Sequence, residues 1–263
     1  DDMKELAKQY KEKINIPLMI TGATPSTLKK EKLDVLVDAG LVEMRMGIQT
    51  AGDRTKVLYK RPHSNEEVEN AVKMVNDHKD KVTAWYDIIL DSPWDTEEDT
   101  IQTLMFLAKL PTPYKLTLFS LLFYPGTDLY RKAKDDGIVK NDVDDIYRRH
   151  YNGIKPTYLN NLFVLLNQYV SIDIGISPKI ISFLVNKNMR KLKLSWALYK
   201  ILKISLPFFK MIRGAQTVLK DLLKGNWIKI WNQMKKWSLR KKARLRYEVS
   251  LGFKKLMKAT NIL

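Results

Sequence analysis

The sequence predicts an α/β fold built on a parallel sheet, followed by a basic, mainly α-helical C-terminal region. Two observations predict it. Four short apolar or alternating runs, Ile16–Thr21, Leu41–Ile48, Val82–Leu90 and Leu116–Phe123, are separated by helix-patterned stretches, the signature of βαβ units. The charge is also split along the chain. Residues 1–150 carry 23 basic and 26 acidic groups, whereas residues 151–263 carry 23 basic groups and only three acidic ones, Asp173, Asp221 and Glu248. A near-neutral front and a polycationic back suggest two regions with different surroundings.

The elements follow in order. Asp1–Lys13 has a polar amphipathic helical pattern, with Met3, Leu6 and Tyr10 on one face. After the first strand, Pro25-Ser26-Thr27 opens a helix that stops at Gly40. In the second strand Val42, Met44, Met46 and Ile48 alternate with Glu43, Arg45 and Gly47. Ser64-Asn65-Glu66-Glu67 has the form of a capping box and leads a helix to about His78. Asp95–Asp99 places acidic residues at the start of a helix reaching Leu110, where the helix dipole favours them. Leu116–Phe123 is a nearly continuous apolar strand, and Pro125-Gly126-Thr127 turns into a helix over Asp128–Asp136. Parallel sheets bind ligands at the carboxyl ends of their strands. That rule selects four loops: Thr21–Pro25, Ile48–Arg54, Asp91–Thr96 and Tyr124–Thr127.

Composition excludes several chemistries. The chain has no cysteine, so it forms no disulfide, offers no thiol nucleophile and ligates no iron–sulfur cluster through its own thiolates. His63, His78 and His150 are scattered, and no pair has ligand spacing on a helix face.

Three segments carry a resemblance. Met46-Gly47-Ile48-Gln49-Thr50-Ala51-Gly52-Asp53-Arg54 resembles the fourth-strand loop of radical SAM enzymes, especially those with a cobalamin-binding domain, and Lys60-Arg61-Pro62 resembles the basic step after it. Tyr86–Asp99 is similar to the fifth-strand pattern, and Phe123–Tyr130 to the sixth-strand P-Y-P-G-T-x-L-Y. The resemblance implies a partial (βα) barrel, strands three to six of the radical SAM barrel, over residues 1–140. A linker at 141–158 and a basic helical extension at 159–263 would follow. It implies S-adenosylmethionine at the rim, with Gln49 and Thr50 near the ribose or methionine part. Arg61 would pair with the carboxylate, Ile89 would pack on adenine, and Phe123, Tyr124 and Gly126 would offer stacking and backbone contacts. Each role has a plainer rival: Ile89 as core, Arg61 as a surface ion pair, Gln49 as a loop residue and Gly126 as a turn-former.

There are departures from the family pattern. Asp91 and Trp94 stand where the family has Gly, Asp95 where it has Glu, and Thr24 where it has Arg. The cluster-binding C-x-x-x-C-x-x-C and the SAM-amine segment are not in the sequence. The expectation is therefore the C-terminal part of an enzyme that, when complete, cleaves S-adenosylmethionine reductively at a 4Fe–4S cluster, with cobalamin as a further cofactor candidate. The chain alone would be inactive and its substrate is not specified. The rival from another class is a non-catalytic protein that binds a membrane surface or nucleic acid.

The back half sets aromatic and aliphatic residues beside lysines, as in Trp196, Tyr199, Ile201 and Ile204 with Lys200 and Lys203. Trp227, Trp231 and Trp237 with the run Arg240–Arg246 continue the pattern. Pro207 is expected to break the apolar stretch. A solvated helical cap, an anionic membrane surface and nucleic acid such as tRNA are the three readings. The expected location is the cytoplasm, with membrane-peripheral attachment as the variant that the basic region would allow.

Overall fold

The computed structural model describes residues 2–226. Helix α1 (Asp2–Lys13) precedes four strands: β1 (Leu18–Ala23), β2 (Leu41–Gln49), β3 (Thr83–Leu90) and β4 (Lys115–Ser120). Between them lie α2 (Lys30–Asp38), α3 (Asp53–Leu58), α4 (Asn65–Asn76) and α5 (Glu97–Lys109); α6 (Asp128–Asp135) follows β4. The strands pair in parallel and in sequence order, β1-β2-β3-β4, as one unclosed sheet. Consecutive order matters here. Parallel crossovers share one hand, so connections that never reverse direction along the sheet put their helices on one face. This is a singly wound barrel segment, as the resemblance implies.

Alternation within the strands shows the two faces. On β2 and β3, Met44, Met46, Ile48, Ala84, Tyr86, Ile88 and Leu90 are buried. Their neighbours Arg45, Gly47, Gln49, Trp85, Asp87 and Ile89 are only half-buried. The buried rows, with Val68, Val72 and Val75 of α4 and Leu104 and Leu107 of α5, make up the core. The half-open rows form the concave face, where Arg45 bonds Asp87 at 2.8 Å and Thr117 at 3.1 Å, and Lys115 lies 4.5 Å over the Trp85 ring.

Two of the expected helix starts are built as capping predicts, whereas Pro25–Thr27 forms only a 3-10 turn and the helix after it, α2, begins at Lys30. Ser64 Oγ accepts from Glu67 N while Glu67 accepts from Ser64 N, and Thr96 and Asp99 repeat the arrangement on α5. Other boundaries differ from expectation. The apolar run Leu116–Phe123 leaves the sheet after Ser120, because Leu121 and Phe123 turn into a separate cluster with Ala133, Val139 and Ile146. Asp53 and Arg54, expected at the end of the Ile48–Arg54 loop, instead begin a helix over Asp53–Leu58.

Beyond α6, a π-helical turn (Val143–Tyr147) leads to α7 (Tyr158–Val170), α8 (Pro178–Val185), α9 (Lys187–Lys191) and α10 (Leu194–Leu223). Residues up to Leu206 belong to one compact unit, and Pro207 begins a second. In the first unit, α7 and α8 pack against α5, and α7 also packs against β4. Asn167 of α7 closes the free edge of the sheet. Its Oδ1 accepts from Leu116 N at 2.8 Å and its Nδ2 donates to Leu116 O at 3.1 Å, the two bonds another strand would have made. Helix α10 continues through Pro207, which was expected to break it; the ring removes one backbone donor and the helix tolerates the loss. Trp227, Trp231, Trp237 and Arg240–Arg246 lie outside the described residues. Among the described residues no helix is long and apolar enough to cross a membrane.

Candidate functional site

The carboxyl end of β2 is tightly made. A register shift between Gly47 and Gln49 turns the strand, and Gln49 takes a left-handed φ of 62°. Its side chain folds back so that the amide nitrogen donates to Gly47 O at 3.0 Å and Ile48 O at 3.2 Å. A Cβ at position 47 would meet that amide at 2.1 Å, so the folded-back side chain occupies the space that glycine leaves open. Thr50 is buried, with its hydroxyl 3.1 Å from that of Thr103 and accepting from Gly52 N. Thr103 Oγ1 also accepts from Ala51 N, so α5 holds the whole loop. Thr50 thus serves the loop's own structure and presents no free hydroxyl.

Behind this loop sits a buried polar group. Asn65 donates to Ala51 O at 3.1 Å and accepts from the Lys56 ammonium. His63 is 3% exposed with Nε2 unpartnered. Burial, and then the charge of Lys56, hold the His63 pKa below its ordinary value, and burial lowers that of Lys56 itself. Arg61 follows in the turn after α3, half-buried, its N–H bonded to Lys56 O.

At the end of β3, Asp91 stands where the resemblance expects glycine and takes the left-handed conformation (φ 62°) that glycine would favour. Aspartate tolerates that region, and here its carboxylate is used: Oδ2 accepts from Lys155 N at 2.9 Å and Oδ1 from Asn160 Nδ2 at 2.8 Å. The strand end is thereby stapled to the start of α7. Trp94, the second glycine departure, packs edge-on to Phe123 at 5.7 Å and donates to Asp136 at 2.7 Å. Asp95 accepts from Thr55 Oγ1 at 2.7 Å, and burial raises its pKa.

The end of β4 supplies the open part. Ile89, Phe119, Leu121, Leu122, Tyr124 and Tyr151 line a cleft of about 300 Å³. Phe119 and Tyr151 stand 5.7 Å apart, and Tyr124 is 62% exposed at the mouth. Ser120 N donates to Tyr151 O, which holds the 150s segment beside β4. Of the seven residues proposed from sequence, Ile89 and Tyr124 meet in this cleft. Gln49 ends the neighbouring strand. Phe123 is 2% exposed and enclosed by Trp94, so the structure gives it to the core. Gly126 (φ 90°) makes the turn in which Thr127 N and Oγ1 donate to Tyr124 O, and nothing lies within 4 Å of its open side. Phe119 and Tyr151 were missed. Phe119 was hidden in an apolar run read as buried on both faces, and Tyr151 lay in the expected linker.

Two fits can be tested on these residues. The cleft suits a flat, weakly polar ring such as a purine, which aromatic and aliphatic walls sandwich. A 4Fe–4S cluster has no fit on this chain: it has no cysteine, and no group of three His, Asp or Glu side chains among the described residues is placed to hold a metal.

Residues 1–107 match the family model described as the radical SAM superfamily. The match ends before β4, so the segment Phe123–Tyr130 lies beyond it. No curated protein matches the chain. Among solved structures, the radical S-adenosylmethionine methyltransferase TsrM from Kitasatospora setae, with cobalamin and a 4Fe–4S cluster bound, is 16% identical at a TM-score of 0.43. The comparison covers 51% of this chain and 27% of that one. Coproporphyrinogen III oxidase (HemN) from Escherichia coli is 22% identical at 0.44, covering 51% and 31%. The Elp3 of Methanocaldococcus infernus is 18% identical at 0.43, covering 73% and 46%. The chain spans less than half the length of each of these structures.

Proposed function

We propose that this chain supplies the adenosine side of an S-adenosylmethionine site, as part of a radical SAM enzyme whose cluster thiolates come from sequence outside these residues. The observation that carries the reading is the Ile89–Phe119–Tyr124–Tyr151 cleft at the carboxyl ends of β3 and β4, on the concave face of a sheet whose first three strands lie in radical SAM sequence. When bound, the cofactor supplies an electrophilic sulfonium whose reductive cleavage yields a carbon radical. This chain's residues do something narrower. Phe119 and Tyr151, whose rings touch, would together form one aromatic wall against the purine, Ile89 would close the floor and exclude water, and Tyr124 would cover the mouth. Gln49 and Arg61, at the neighbouring loop, would face the ribose and the carboxylate. Cobalamin and the substrate have no described residues that single them out.

Calorimetric titration with S-adenosylmethionine tests this. The expected outcome is saturable binding that weakens about 5- to 100-fold in Phe119→Leu, the range for losing one stacked ring. Unchanged affinity in Phe119→Leu, with its melting temperature kept, contradicts the assignment.

A further inference from the structure

The first turns of α10 present a surface that the SAM reading does not use. Within the first compact unit, this helix is docked through one side only. Ser195 Oγ donates to Phe183 O at 3.1 Å, Tyr169 OH donates to Leu202 O at 2.6 Å, and Leu206 is buried. The other side carries Leu194, Ala197, Ile201 and Ile204, spaced i, i+3, i+7 and i+10, which places them in one stripe. That stripe faces outward: Ile201 is 61% and Ile204 78% exposed, and Leu192 just before the helix is 65% exposed. Scattered exposed aliphatics need no explanation, but a contiguous stripe does.

Charge decides what covers it. Lys191 and Lys193 precede the stripe, and Lys200 and Lys203 lie along its flank. From Ile174 to Leu206 the sequence has no acidic residue at all. Trp196, 41% exposed, packs at a tilt against Tyr158 with ring centroids 4.6 Å apart, so its indole is held at the border between packed and open surface. Apolar side chains that need burial, lysines that need anions and a ring at the border are complementary to one kind of surface. We propose that the Leu192–Ile204 face docks on an anionic lipid membrane, with the aliphatic stripe entering the headgroup boundary and the lysines meeting lipid phosphates. A protein partner would need a groove with an acidic rim, and a nucleic acid would leave the aliphatic stripe in water. The described residues of the second unit, taken by themselves, carry the same composition, with Phe208 and Met211 exposed beside Lys210.

Co-sedimentation of the whole chain with vesicles tests the proposal. Vesicles of phosphatidylcholine alone are compared with vesicles that also contain phosphatidylglycerol. The chain is expected to pellet with the anionic vesicles and to be released by high salt. The double variant Ile201→Glu/Ile204→Glu is expected to bind them at least about tenfold more weakly, with its melting temperature kept because both positions face solvent. Lys200→Glu/Lys203→Glu is expected to weaken binding comparably and carries the test should the first variant misfold. Equal binding to neutral and anionic vesicles overturns the proposal. So does binding that both variants leave unchanged, and so does retention of RNA without retention of vesicles.

Discussion

At Asp91, where the resemblance expects glycine, the chain adopts the left-handed conformation that glycine favours. The carboxylate takes on the task of tying β3 to the segment before α7. Substitutions separate the two roles. Asp91→Asn tolerates the conformation and still accepts one bond, so its unfolding midpoint in urea is expected close to wild type. Asp91→Ala combines a strained φ with two orphaned donors and should lose about 2–4 kcal/mol. His63 offers a pH test. Its folded pKa lies below the ordinary 6.5, so the unfolded chain takes up a proton first as pH falls through 6.5. Stability from the neutral imidazole is complete above that pH and is lost on acidification. Urea unfolding is expected to show a steeper acid decline in wild type than in His63→Gln; parallel profiles would mean His63 titrates normally. Neither residue's role was legible beforehand. A lone Asp and a lone His carry no spacing, and what they do depends on segments 64 residues and more away or on burial.

Elements were legible where the signal was local. The Ser64 capping box, the alternation of β2 and the helix after Pro125-Gly126-Thr127 each rest on neighbouring residues, and each appears as read to within a residue. Signals failed where tertiary packing decided. Leu121 and Phe123 look like strand because they are apolar, yet they are apolar for a cluster off the sheet. Asn167 reads as a polar interruption of α7 and is in fact the cap on the edge of β4. Asn167→Leu is nearly isosteric but leaves Leu116 N–H and C=O unpaired at the sheet edge, and should cost about 1–3 kcal/mol by chemical denaturation. A variant as stable as wild type would show that the two bonds contribute nothing net.

For the molecule, the order of strand and helix signals was enough to place a parallel sheet and to point to the carboxyl ends of its strands. Of the residues lining the proposed cleft, Ile89 and Tyr124 stand in the motifs singled out from sequence, whereas Phe119 and Tyr151 converge only through the chain's return past β4, which no local pattern encodes. The fold accordingly distributes the seven proposed residues among cleft, core and turn. The central claim is that the purine of S-adenosylmethionine enters the cleft on β3 and β4. Methyl and aromatic NMR spectra recorded with and without S-adenosylmethionine test it most directly. Ring-current shifts are expected on Ile89, Phe119, Tyr124 and Tyr151, with Thr50 and Phe123 unmoved. Shifts confined to Thr50 and Phe123, or none at all under saturating ligand, would contradict it.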